Sequence, residues 1–212
     1  MPPPPLTDVE HILTAASELI INDGYSAVTV AALAERTSIA PTEITSLFDT
    51  PNDVLVSMLN REFGLMYASI VDHVERDPRG GLLSRMYTYI LSSVYERPLA
   101  RTLFVIDRDA LHQIMRNASG FVYVPNVGIR ADLIEKLQSA GMVRPDVDAR
   151  MVSSVLSACS AGLALTAPHD DLDLTIRGLA DLLHRGVDAD VSDTLPGKSV
   201  FYEWATSLTL PK

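Results

Sequence analysis

The sequence predicts an all-α protein, with a small N-terminal helical head followed by a larger helical domain. Three observations lead there. Apolar residues recur at three- and four-residue spacing along nearly the whole chain, the period of a helix that buries one face. Turn chemistry closes each periodic stretch, at Asp23-Gly24, Asp49-Thr50-Pro51, the DPRGG of 77–81, Gly141 and Pro168. The one strand-like run, FVYVPN at 121–126, is too short and ends too abruptly in proline to found a sheet.

The elements follow in order. Val9, Ile12, Leu13, Ala16, Leu19 and Ile20 share one helical face; Thr7 or Asp8 can cap its start, and Gly24 can take the positive φ that ends it. Thr29 is an N-cap for a short second helix, Val30 to Arg36. Pro41 opens a third that runs through Leu47, and Pro51 a fourth that runs to about Val74. After the 77–81 break, Leu83, Met86, Tyr87, Ile90, Leu91 and Val94 repeat at helical spacing. Beyond Pro98, one further stripe reads Leu99, Leu103, Ile106, Ala110, Leu111 and Ile114. Residues 127–140 read as helix up to Gly141, Asp146 or Asp148 caps a helix through Thr166, and a last helix spans 171–187. The tail, 188–212, starts acidic and ends FYEWATSLTLPK, whose Phe201, Tyr202 and Trp204 imply docking on the body. The domains expected are therefore a head over 1–55, a ligand and dimerisation domain over 56–187, and the tail.

A chain of 212 residues with 47% apolar content can bury a real core. Its single cysteine, Cys159, excludes an internal disulfide, reads as a small buried hydrophobe, and fits a reducing cytoplasm. No apolar run approaches the roughly 18 residues that span a bilayer. The opening MPPPPL lacks the basic and apolar regions of a signal peptide, so no membrane association is expected. The net charge is −10, and it is unevenly placed. Residues 1–60 hold one basic residue, Arg36, against eight acidic ones, a balance of −7. The head is the most acidic part of the molecule.

The run ILTAASELIINDGYSAVTVAALAERTSIAP, continued by Ile44 and Phe48, resembles the head of the TetR family of transcription regulators. RPLARTLFVIDRDAL and LIEKLQSAGMVRPDVDARMVSSVLSACSAG resemble its C-terminal segments more loosely. The resemblance implies an all-helical homodimer whose head sets a helix in the DNA major groove and whose larger domain binds an effector. It makes Thr29, Thr42, Glu43, Thr45 and Ser46 the DNA-facing residues. The scaffold positions match: Ala15, Gly24, Tyr25, Thr29, Ala34, Ile39, Ile44 and Phe48. The contact positions depart from the family pattern. Ala40 stands where a small hydroxyl N-cap is usual, and Thr42-Glu43 where a Gly, Thr or Ser pair is usual. Thr45 replaces a backbone-contacting Tyr, Leu47 an aromatic or His, and Pro51 a phosphate-binding Lys. Phosphate neutralisation by Lys and Arg supplies most of the affinity for DNA, and base edges are read best by Arg, Lys, Asn and Gln. A head at −7 with one Arg argues against a grip on DNA.

For the larger domain the expectation is a pocket for an apolar or aromatic small molecule. Its lining would come from Met66, Tyr67, Met86, Tyr87, Ile90, Phe104, Met115, Phe121 and Tyr123, since Met adapts its shape and Tyr adds a polar tip. Asp109 and His112 share a helix face and are the only pair suggesting acid–base chemistry. No phosphate loop, GxSxG, HExxH or CxxC occurs, so no metal and no cofactor is expected and no reaction is named. The small residues Ser153, Ser154, Ser157, Ala158, Ala161, Gly162 and Ala164, with Leu172, Ile176, Leu179, Leu182 and Leu183, would form the homodimer contact. The sequence thus points to a cytoplasmic protein that binds an apolar ligand and whose head no longer holds an operator, serving sequestration or catalysis. The alternative is a dimeric repressor released from DNA by its ligand.

Overall fold

The computed structural model describes residues 7–118, 129–166 and 171–209. α1 (Asp8–Asp23) starts at Thr7, whose hydroxyl accepts from the Glu10 N–H, and ends at Gly24, whose φ of 84° suits glycine. α2 (Val30–Thr37) is capped by Thr29, which accepts from the Ala32 N–H. Ser38, in the left-handed region at φ 60°, turns the chain into α3 (Pro41–Leu47). α4 (Pro51–Arg76) follows, then α5 (Leu83–Tyr95).

The stripe expected from Leu99 to Ile114 is not one helix. It divides into α6 (Pro98–Arg101), a π-helical turn over Thr102–Ile106, and α7 (Arg108–Arg116). The π turn inserts extra residues into the register, and Asp107 restarts the chain by accepting from the Ala110 N–H. Ile106 is thereby turned out of the stripe and is 67% exposed.

The helix expected from 127 begins later, as α8 (Ala131–Ser139). Residues 127 and 128 lie outside the described residues, as do FVYVPN and Pro168. Ile129 precedes this helix, and its carbonyl accepts from the Ser153 hydroxyl of α9 (Ala149–Thr166). Asp148 caps α9 through the Arg150 and Met151 N–H groups. α10 (Leu172–Gly186) is capped by Asp171. It is not the last helix: the aromatic tail is itself α11 (Leu195–Thr209), begun by Asp193 accepting from the Leu195 N–H. Phe201, Trp204 and Ala205 fall at i, i+3 and i+4 and are buried.

The chain forms two compact units. The first comprises Met1–Leu65 with Arg97–Tyr123, the second Met66–Glu96 with Val124–Lys212. The first is centred on Ile12, Ala16, Leu19, Leu33, Ile44 and Leu59. A bidentate ion pair within it joins the buried Glu62 to the half-buried Arg97, at 2.7 and 2.9 Å. In the second, α5 contributes Leu83, Met86, Tyr87, Ile90 and Leu91 to a core completed by Leu133, Leu137, Leu156, Ile176, Leu183 and Phe201. The 77–81 turn owes its glycines to close backbone packing. A Cβ on Gly81 would collide with the Thr194 carbonyl, and one on Gly197 with the Gly81 carbonyl. Thr194 donates to the Pro78 carbonyl and Lys198 to that of Glu75, so the start of α11 clasps this turn.

Among the described residues α4 alone is long and apolar enough to cross a membrane, and half of the window that qualifies is buried in the fold. The sequence-stretch rule did not single it out because Arg61 and Glu62 interrupt it; both are held in ion pairs.

Candidate functional site

The head presents α3 to solvent. Thr42, Glu43, Thr45 and Ser46 are exposed, as is Thr29 at the start of α2, while Ile44 is the buried anchor that seats α3 on the head. The hydroxyls are turned back on their own helix. Thr45 donates to the Pro41 and Thr42 carbonyls and Ser46 to that of Glu43. Two guanidinium groups of the first unit, Arg36 of the head and Arg61 of α4, are engaged as well. Arg36 faces Glu18 at 3.3 Å and Asp23 at 3.8 Å. Arg61 faces Glu10 at 2.9 Å and donates to the hydroxyls of Thr14 and Ser17.

The residues named for a ligand pocket fall in different places. Met66, Met86, Tyr87 and Ile90 are buried in the second unit; Met86, Tyr87 and Ile90 belong to its core cluster, against which Tyr67 packs. The Tyr87 hydroxyl donates to the Leu156 carbonyl and lies 2.9 Å from the Ser160 hydroxyl; burial pushes its pKa up to about 12. Phe104 and Met115 belong to the first unit, where Phe104 packs against Phe63 with ring centroids 5.9 Å apart. Phe121 and Tyr123 lie outside the described residues. Asp109 and His112 are both exposed on α7, and among the described residues no hydrogen bond or ion pair joins them. Cys159 is half-buried, more open than a core cysteine.

A polar group that sequence reasoning missed sits in the second unit. The Asp188 carboxylate, its side chain fully buried, accepts from the Ser84 hydroxyl at 2.5 Å and the Ser84 N–H at 3.3 Å, and lies 3.2 Å from His184 Nδ1. Beside it, Asp77 accepts from Arg85 at 2.6 Å and from the Tyr89 hydroxyl at 2.7 Å. Burial alone would raise the Asp77 carboxyl. The bonds from Tyr89, the Arg79 N–H and Arg85, with the guanidinium charge, outweigh it and hold the group below the usual value of 3.8. No motif joins Ser84 to Asp188, 104 residues apart. The only local signal is the i, i+4 pair of His184 and Asp188 at the end of α10.

α9 and α10 carry an apolar surface. Met151, Val155 and Leu165 are exposed on α9 beside the small Ser154, Ala158 and Ala161, and Leu174 and Leu182 are exposed on α10.

No family model matches this sequence and no curated protein does. Solved structures match the fold. The ketosteroid transcriptional regulator KstR2 of Mycobacterium tuberculosis aligns with 88% of this chain and 98% of its own at 16% identity, with a TM-score of 0.59. The transcriptional regulator FadR of Bacillus subtilis, in complex with stearoyl-CoA, aligns with 82% of this chain and 96% of its own at 17% identity and a TM-score of 0.58. The TetR-family transcriptional regulator HI0893 of Haemophilus influenzae aligns with 85% of this chain and 96% of its own at 17% identity and a TM-score of 0.53. At such identities the likeness is one of architecture: this chain has the all-helical fold of TetR-family transcriptional regulators.

Proposed function

We propose that the protein is a cytoplasmic, ligand-responsive transcriptional regulator that acts as a homodimer. The observation that carries this reading is the complete helix–turn–helix of α2 and α3, which leaves Thr42, Glu43, Thr45 and Ser46 exposed on one short helix. On this reading operator contact comes from hydroxyls turned outward from their intrahelical bonds, from backbone amides, and from Glu43 accepting from a cytosine amine. The apolar faces of α9 and α10 pair about a two-fold axis, where the small residues let the helices approach closely. The effector is an apolar or aromatic molecule lodged in the second unit among Met66, Tyr67, Met86, Tyr87 and Ile90. The Bacillus subtilis regulator was solved in complex with stearoyl-CoA, whose acyl chain is apolar.

A specific observation favours a second reading, in which the head no longer holds an operator and the protein sequesters or transforms its ligand. Arg36 and Arg61 are committed to Glu18, Asp23 and Glu10, so the acidic head offers phosphates no free guanidinium from these positions. Selection of random-sequence DNA on the purified protein at low salt separates the two. Recovery of a palindrome supports the regulator. No enrichment by a protein that sediments as a folded dimer rejects it in favour of the second reading.

A further inference from the structure

Beside the 77–81 turn, between α5 and α10, lies an open cleft of about 510 Å³. Every residue that lines it belongs to the second unit. Its acidic groups already have partners. Asp77 is matched by Arg85, and Asp181 by Arg185 at 2.9 Å. Arg79 and Arg177 also line the cleft, and neither has an ion-pair partner among the described residues. In a chain of net charge −10, two unmatched guanidinium groups facing one cleft reverse the local sign.

The third wall is built rather than incidental. His184 lines the cleft, and the fully buried Asp188 carboxylate holds its Nδ1 while itself anchored by Ser84 on α5. With Nδ1 so engaged, Nε2 is the ring edge left for a ligand, and it donates to a phosphate oxygen when the ring carries both protons. Keeping a carboxylate buried to orient an exposed imidazole preorganises that imidazole.

We propose that this cleft binds a small phosphate monoester, with Arg79 and Arg177 as its charge partners and His184 Nε2 as a fixed third contact. A phosphate dianion carries the two charges that the arginines leave unmatched. Guanidinium forks fit its oxygens in pairs, and the volume suits a small metabolite. The site is independent of whether the head holds DNA and is separate from the apolar interior proposed for the effector.

The probe is inorganic phosphate, titrated into the full-length protein at constant ionic strength with chloride as the balancing ion. Side-chain Nε–H resonances of the arginines and the ring resonances of His184 are followed by NMR. We expect saturable shifts at Arg79, Arg177 and His184 that chloride does not produce. Arg79→Gln and Arg177→Gln should each weaken binding about 10-fold, the scale of one charge-assisted hydrogen-bonded contact, and His184→Gln by less. Arg116→Gln, in the first unit, should change nothing. Both cleft arginines are exposed, so the variants keep the fold, which circular dichroism verifies. Shifts that rise linearly without saturation overturn the proposal. So does an affinity that both glutamine variants retain.

Discussion

Arg97 and Glu62 show what a single buried charge demands. The Glu62 side chain is almost fully buried, and both its oxygens accept from Arg97. Arg97→Ala would strand that carboxylate and should cost about 3 kcal/mol in urea unfolding, with much of the loss recovered in the Glu62→Gln, Arg97→Ala double variant. Tyr87→Phe removes the donor to the Leu156 carbonyl and should cost about 1 kcal/mol. Asp77 supplies a pH test. Its folded pKa lies below the unfolded value near 3.8, so its contribution is complete above that value and is lost as pH falls through the lower folded value. Denaturant titrations should therefore show wild type losing stability relative to Asp77→Asn as pH drops from about 4 to about 2. At this scale the sequence was legible where bonding is local. Thr7, Thr29 and Asp148 are caps, and a cap acts within three residues. Asp188 was opaque, because its partner Ser84 is brought to it only by the packing of α5 against α10.

The helices α1 to α4 could be read from periodicity and start signals, since each begins at a cap or a proline, and α5 from its periodicity after the 77–81 break. The π turn at Thr102–Ile106 could not, because every apolar position in that stretch satisfies an ideal helix equally well. α11 was seen only as an aromatic tail; its Pro-Gly start looks like a breaker until the 77–81 turn is in place to receive Gly197. That contact can be tested within one protein. Gly197→Ala should destabilise by about 3 kcal/mol, because the added methyl meets backbone that cannot yield. Gly64→Ala, in mid-α4 with open space around it, should instead stabilise by about 1 kcal/mol through helix propensity. Thermal unfolding of the two variants should move in opposite directions.

For the whole molecule, the fold was legible in its head motif, while the ligand interior was not: the same Met and Tyr residues fill a core or line a pocket, and composition cannot separate the two. The proposed dimer predicts that Leu174→Asp with Leu182→Asp yields half the mass in sedimentation without loss of helicity, since both leucines are exposed. If an operator is recovered, its affinity should depend only weakly on salt. With Arg36 engaged, the plot of log affinity against log salt should be no steeper than about −2, because each neutralised phosphate contributes about −0.9. The clasp of α11 on the 77–81 turn also bears on biosynthesis. The second unit is assembled from two stretches, with Arg97–Tyr123 of the first unit made between them. A ribosome that has delivered α5 and α10 has still not made Phe201 and Trp204, which seal that core, or Gly197, which seats the turn. The nascent chain must carry an unsealed apolar interior until α11 has been delivered, and during that interval the open core is exposed to aggregation.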